Sequence, residues 1–170
     1  LRLDDGSVID LDRHSALSVT LERGRRTVVL TDGEAAFDVA HDASRPFVVE
    51  ADGRRVEVLG TAFDVVNHAG RFSVGVSRGR VSVSPQGAPP VVLTPGQGLR
   101  QDDGQAVQRT IVDAEALTAW REGVMVYRDA PIAEVAADLS RRLGRSVTVA
   151  PSATSLRFTG VLQWDDEGTM

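Results

Sequence analysis

The chain has no cysteine and no lysine, and only one tyrosine, in 170 residues. Without cysteine there is no disulfide framework, no thiolate nucleophile and no cysteine-ligated zinc. Without lysine a Walker-type phosphate loop cannot be built, and no G-x-G-x-x-G follows a strand-like run. Positive charge is also scarce. All 19 basic residues are arginine, against 24 acidic ones, for a net charge of −5. That balance argues against broad electrostatic capture of nucleic acid. Apolar runs are short, so nothing in the chain is long enough to span a bilayer as a helix, and no secretory leader is recognisable. The chain opens Leu1-Arg2-Leu3 without Met and already reads as strand and turn, which predicts a piece of a longer protein.

What is present is period-two alternation. Val56 to Val66, Arg71 to Val76 and Arg80 to Val83 alternate apolar and polar residues between Gly-bearing breaks. This is the signature of short, half-buried strands. Upstream, Ser7–Leu11, Ala16–Leu21, Thr27–Leu30 and Ala35–Val39 carry similar runs, the last two separated by Thr31-Asp32-Gly33. Phe47–Ala51 and Arg55–Leu59 flank Asp52-Gly53, a two-residue hairpin signal. Beyond the Pro85 to Pro90 loop come Val91–Leu93, Gln97–Arg100 and Ala106–Ile111. Many short strands at even spacing predict a mainly β fold whose N-terminal part is a β-sandwich or a short-rung stacked sheet. Leu59, Phe63, Val65, Val74, Val76, Val81 and Val83 are its expected buried core.

After Ile111 the period changes, and a boundary is expected near Ile111 to Asp113, giving domains 1–111 and 112–170. Asp113 can cap a short helix, Ala114–Glu122, stopped by Gly123. Val124–Tyr127 reads as a strand. Asp129, with Pro131 in the first turn, is expected to open a helix over Pro131–Leu143. Ile132, Val135, Ala136, Leu139 and Leu143 form its apolar stripe, and Gly144 ends it. Ser146–Ala150 and Leu156–Gln163 read as strands around a Pro151–Ser155 turn. The second domain is therefore expected to be a small β-α-β-β unit of α+β type.

Several motifs tempt a chemical reading. Gly75-Val-Ser77-Arg-Gly79 matches G-x-S-x-G, but that chemistry needs a strand-to-helix turn and a histidine downstream in α/β-hydrolase order. A strand follows instead, and the last histidine is His68. His14, His41 and His68 are isolated and form no metal-ligand spacing. Asp4-Asp5, Asp102-Asp103 and Asp165-Asp166-Glu167 lack the EF-hand pattern and read as solvated turns or chain end. The Pro131–Leu143 helix could open a helix-turn-helix, but β-branched Ser146–Ala150 cannot supply a recognition helix. No catalytic residue, cofactor or metal is expected, and no nucleic-acid partner. Trp120 and Phe158 are assigned to core packing, whereas Trp164, outside the last strand, suits a partner surface.

Leu59-Gly60-Thr61-Ala62-Phe63-Asp64-Val65, with the Val74 to Val83 repeat, resembles the core of the FecR family. Trp120-Arg-Glu-Gly123, Val126 to Val135, Leu139 to Gly144 and Phe158-Thr-Gly160 are similar to the C-terminal part of those proteins, itself like the secretin-and-TonB amino-terminal module. That module normally has a further helix after its Phe-Thr-Gly strand, and this chain stops at Met170, so either the helix belongs to residues outside it or the module is expected to be incomplete. The resemblance implies a periplasmic region of a single-pass membrane regulator. A cytoplasmic segment of such a regulator binds a sigma factor, and its membrane helix and that segment would both lie outside this chain. The region would receive a signal by contact from an outer-membrane TonB-dependent transducer, often one that takes up an iron-siderophore complex. A structural or carbohydrate-binding module of the cell envelope is the competing expectation, to be favoured by exposed aromatics among Phe37, Phe47, Phe63 and Phe72. For partner contact, the expected residues are Glu134, Asp138 and Arg141 on the outward helix face, Thr148 and Leu162 on the flanking strands, and Trp164.

Overall fold

Alternation dominates the first 111 residues, and the computed structural model, which describes residues 1–114 and 116–163, turns it into eleven strands. These are β1 (Val8–Leu11), β2 (Ala16–Leu21), β3 (Arg26–Asp38), β4 (Phe47–Ala51), β5 (Arg54–Val58), β6 (Ala62–His68), β7 (Arg71–Arg78), β8 (Val81–Ser84), β9 (Val91–Leu93), β10 (Gln97–Asp102) and β11 (Gln108–Ile111). They form one sheet in the order β11-β10-β7-β6-β3-β4-β5-β8-β9, with β1 and β2 also paired to β3. All pairings are antiparallel except β3 with β4, which run parallel over Arg26–Val29.

The sheet curls because β3 serves two neighbourhoods. Its first half lies between β2 and β4, and its second half between β1 and β6. Thr31-Asp32-Gly33, expected to end one strand and begin another, lies inside this single strand. Gly33 has φ +101°, and the space a Cβ would need there is filled by Ser15. The Ser15 hydroxyl also accepts the Glu34 N–H at 3.0 Å. Glycine thus bends the strand without ending it, because only glycine takes that backbone conformation at no steric cost.

The two halves close on one core. Phe37, Phe63, Val65, Phe72, Val74 and Val76 from one side meet Phe47, Val49, Val56, Val81, Val83 and Leu93 from the other. Phe37 stacks on Phe63 at 5.0 Å and meets Phe47 edge-on at 6.1 Å. The mainly β class expected from the alternation is the class observed. One core residue is corrected: Leu59 is 42% exposed. It follows β5, where the chain swings out to pass the 39–42 segment. Asp42 N–H donates to the Leu59 carbonyl (2.8 Å) and Val39 N–H to that of Thr61 (3.0 Å). Gly60 lies between, where a Cβ would sit 2.6 Å from His41 Cα. Close backbone approach explains the Leu-Gly-Thr phrase. Asp52-Gly53 and Ala69-Gly70 both take positive φ and form the tight hairpins β4–β5 and β6–β7.

The chain divides into two compact units at Leu117/Thr118, six residues beyond the Ile111 boundary read from the sequence. The short helix is a 3-10 turn, Ala116–Glu122, ended by Gly123 at φ +74°. Leu117 belongs to the first unit and fills the space left by the absent side chain of Gly75.

The second unit contains β12 (Val124–Pro131), helix α1 (Ile132–Leu143) and β13 (Arg157–Gln163). Strands β12 and β13 pair antiparallel, with a bulge between Tyr127 and Ala130. Met125, Tyr127, Ala130 and Val135 make its small core, joined by Ile132, Leu139, Phe158 and Leu162. Gly144, at φ +61°, ends the helix in the expected place, with Arg145 N–H returning to the Ser140 carbonyl. Two expectations are corrected. Asp129 does not cap the helix: it sits in the bulge at φ +51°, its N–H bound to Thr159 Oγ1 (2.8 Å) and its carboxylate to Arg157 Nε (2.7 Å). Ser146–Ala150 is not a strand of any sheet, so the unit is β-α-β among the described residues.

Candidate docking site

Of the residues expected to meet a partner, Glu134, Asp138 and Arg141 lie on α1, Thr148 follows it and Leu162 lies in β13. Asp138 is buried and accepts a hydrogen bond from the Tyr127 hydroxyl at 3.2 Å. Arg141 is buried as well, and Glu134 is half-buried. The helix is therefore covered over more of its circumference than its apolar stripe, and it presents no open charged face at these positions. Arg142, also buried, lies with its guanidinium 5.9 Å from the centre of the Trp120 ring. That contact gives Trp120 a packing role.

Leu162 lies opposite Met125 in the β12–β13 register, with its side chain against the small core. Phe158 also packs there, edge-on to Tyr127 at 5.8 Å. Thr148 is exposed in the run after the helix. Trp164 lies outside the described residues, as does the Asp165-Asp166-Glu167 run.

Ser140 is the residue the sequence reading missed. Its hydroxyl donates to the Ala136 carbonyl (2.7 Å) and accepts the Val147 N–H (2.8 Å). A serine in the last helical turn that reaches back to the carbonyl four residues earlier is a common local bond. Its second bond, to the chain leaving the helix, is set by tertiary placement and has no sequence signal.

The chemical motifs resolve into structure. Ser77 lies within β7 and its hydroxyl donates to the Ala62 carbonyl at 3.0 Å. His68 Nδ1 is 2.9 Å from Asp32 Oδ1, in a surface hollow of about 360 Å³. His41 instead lines a second hollow with Leu59 and Val92. Among the described residues no three His, Asp or Glu side chains come together as a metal site. The acidic pairs are more than solvated turns. Asp5 is ion-paired with buried Arg26 at 2.8 Å, Asp102 with Arg100 at 2.9 Å and Asp103 with Arg54 at 3.0 Å. Phe37, Phe47, Phe63 and Phe72 are all buried in the β core. They offer no exposed stacking platform for sugar rings.

These features define a class of protein: a curled β domain followed by a small β-α-β unit, with Phe37, Phe47, Phe63, Phe72, Trp120, Tyr127 and Phe158 packed against other side chains and the Ser77 hydroxyl bound to backbone. The model of the FecR protein family matches residues 1–82, just under half of the chain. The likeness in solved structures runs further. A candidate anti-sigma factor from Parabacteroides distasonis ATCC 8503, in a crystal structure at 1.65 Å, is 25% identical, with 98% of this chain and 81% of that chain covered and a TM-score of 0.90. A second crystal structure under the same description and from the same organism, at 2.50 Å, gives 26% identity, 96% and 78% coverage and a TM-score of 0.88. No curated protein matches the chain. Family and structural likeness together support a role as a signalling regulator.

Proposed function

We propose that this chain is the periplasmic, signal-receiving region of a FecR-type sigma-factor regulator. It reads the state of an outer-membrane TonB-dependent transducer, one that takes up an iron-siderophore complex, by direct contact. It passes that state to a sigma factor held by a cytoplasmic segment, connected through a membrane helix, both outside this chain. The observation that carries this reading is the likeness to a candidate anti-sigma factor over 98% of the chain, both units included. No helix among the described residues is long and apolar enough to cross a membrane.

Contact alone transmits nothing. The docked state must differ in free energy from the free one, and the ligand can shift that balance only by its differential affinity. A small two-stranded sheet offers backbone edges that a partner strand can complete.

The test is a titration of the purified chain with the purified amino-terminal periplasmic domain of a TonB-dependent transducer from the same organism. It is paired with a sigma-dependent transcriptional reporter in cells. Saturable binding, and a reporter that stops responding to the transducer's ligand when the chain is deleted from the regulator, are expected. A chain that binds no transducer domain, with a reporter response indifferent to its deletion, would end this reading.

A further inference from the structure

Between α1 and β13 lies a run with the composition of a strand that joins no sheet among the described residues. Ser146-Val147-Thr148-Val149-Ala150 alternates exposed and half-buried side chains, with Val147 and Val149 turned inward. Its hydrogen-bonded anchor to the helix is Ser140, whose hydroxyl takes the Val147 N–H at 2.8 Å and lies 3.3 Å from the Val147 carbonyl. Both backbone polar groups of Val147 therefore face α1. In extended chain the backbone groups of successive residues point to opposite sides, so those of Ser146 and Thr148 face away. Neither residue makes a hydrogen bond with any described residue. An exposed row of unpaired donors and acceptors on β-branched chain is a template for an added strand.

Charge indicates what the strand would accept. From Leu139 to Arg157 there is no Asp or Glu, although the chain as a whole carries −5. Arg145 is exposed immediately before the run. A strand flanked by carboxylates would be attracted to this acid-free stretch.

We propose that Ser146–Ala150 is the edge to which a partner protein adds an extended strand flanked by acidic residues. Resting on the function proposed above, that partner is the transducer's periplasmic domain. Thr148 then acts through its backbone, not its hydroxyl. Leu162, in β13, has its side chain committed to the small core.

The experiment compares variants of the 170-residue chain in titrations with the purified transducer domain. Thr148→Pro removes an outward donor and should weaken binding about tenfold or more. Thr148→Ala keeps the donor and should bind within about twofold of the unmodified chain. Arg145→Glu should weaken binding more at low salt than at high salt. Circular dichroism establishes that the proline variant is folded. Should it not fold, amide exchange of the unmodified chain replaces it, and Thr148 N–H must gain protection on binding. Unchanged affinity of folded Thr148→Pro, or no protection at Thr148, overturns the proposal and leaves transducer docking standing. Loss of binding in Leu162→Pro alone moves the edge to β13 and overturns it equally. Self-association of the chain that Thr148→Pro abolishes, without transducer binding, assigns the edge to a second copy. An unmodified chain that does not bind at all overturns the transducer reading together with this one.

Discussion

Arg26 Nη1 lies 2.8 Å from Asp5 Oδ2, and both side chains are almost wholly withdrawn from water. Arg26 also donates from Nε to the Arg45 carbonyl (2.9 Å) and from Nη1 to that of Ala40 (2.9 Å). One guanidinium thus ties the start of β3 to the N-terminal turn and to the 40–45 segment. Burial by itself would raise the Asp5 carboxyl. Hydrogen bonds from Arg26 and from the Ser7 N–H and hydroxyl outweigh it and hold the carboxyl below its ordinary value. A depressed carboxyl contributes stability that is complete above the unfolded pKa of about 3.9 and is lost as pH falls through the folded value. Denaturant titrations from pH 7 downwards should show stability falling below about pH 4. Asp5→Ala should cost about 3–5 kcal/mol at neutral pH, because it leaves a buried guanidinium without its counter-charge. It should also flatten that part of the acid limb.

Phe63 and Leu59 give a paired test of the core. Phe63 is buried and stacked on Phe37, so Phe63→Ala should cost about 3–5 kcal/mol in urea denaturation. Leu59→Ala, at an exposed position, should cost about 1 kcal/mol or less. Equal losses at the two sites would contradict the burial described above.

Gly60→Ala places a Cβ against the backbone of His41, which cannot swing aside as a side-chain tip would. A destabilisation of about 1–3 kcal/mol is expected, the usual cost of overpacking. The neighbouring bond from the Asp42 N–H to the Leu59 carbonyl should weaken with it, read as faster amide exchange at Asp42. A thermally unperturbed variant would show that the 39–42 segment adapts freely.

Ser77→Ala removes one hydroxyl bond to the Ala62 carbonyl and should cost about 1 kcal/mol. Reporter output in cells should follow the amount of folded protein and nothing else. The same outcome is expected when His14, His41 and His68 are replaced together. Lost signalling at a normal folded level would reopen a chemical or metal-binding role.

Strand periods, the Asp52-Gly53 hairpin and the Gly144 helix stop were all legible in the residues, because each depends on neighbours a few positions away. The Leu59-Gly60-Thr61-Ala62-Phe63 phrase was legible as family wording. Its cause, the packing of Gly60 under His41, joins residues nineteen positions apart and appears only in the fold. The same limit explains the errors. Asp138 and Arg141 look like an outward charged face because a helical wheel records only the helix, whereas their burial depends on what packs around it.

Local chemistry therefore determined the mainly β character and the position of the helix that ends at Gly144. Period, capping and β-branching act over a few residues and need no distant partner. Tertiary structure alone decided that β3 would run unbroken through Gly33 and serve both halves of the sheet, and that Arg26 would be buried with Asp5. It also decided that Ser146–Ala150 would be held by Ser140 and left without a neighbouring strand among the described residues. Pairing and burial depend on which distant groups compete for the same space and the same hydrogen bonds, and that competition is settled only when the chain closes on itself.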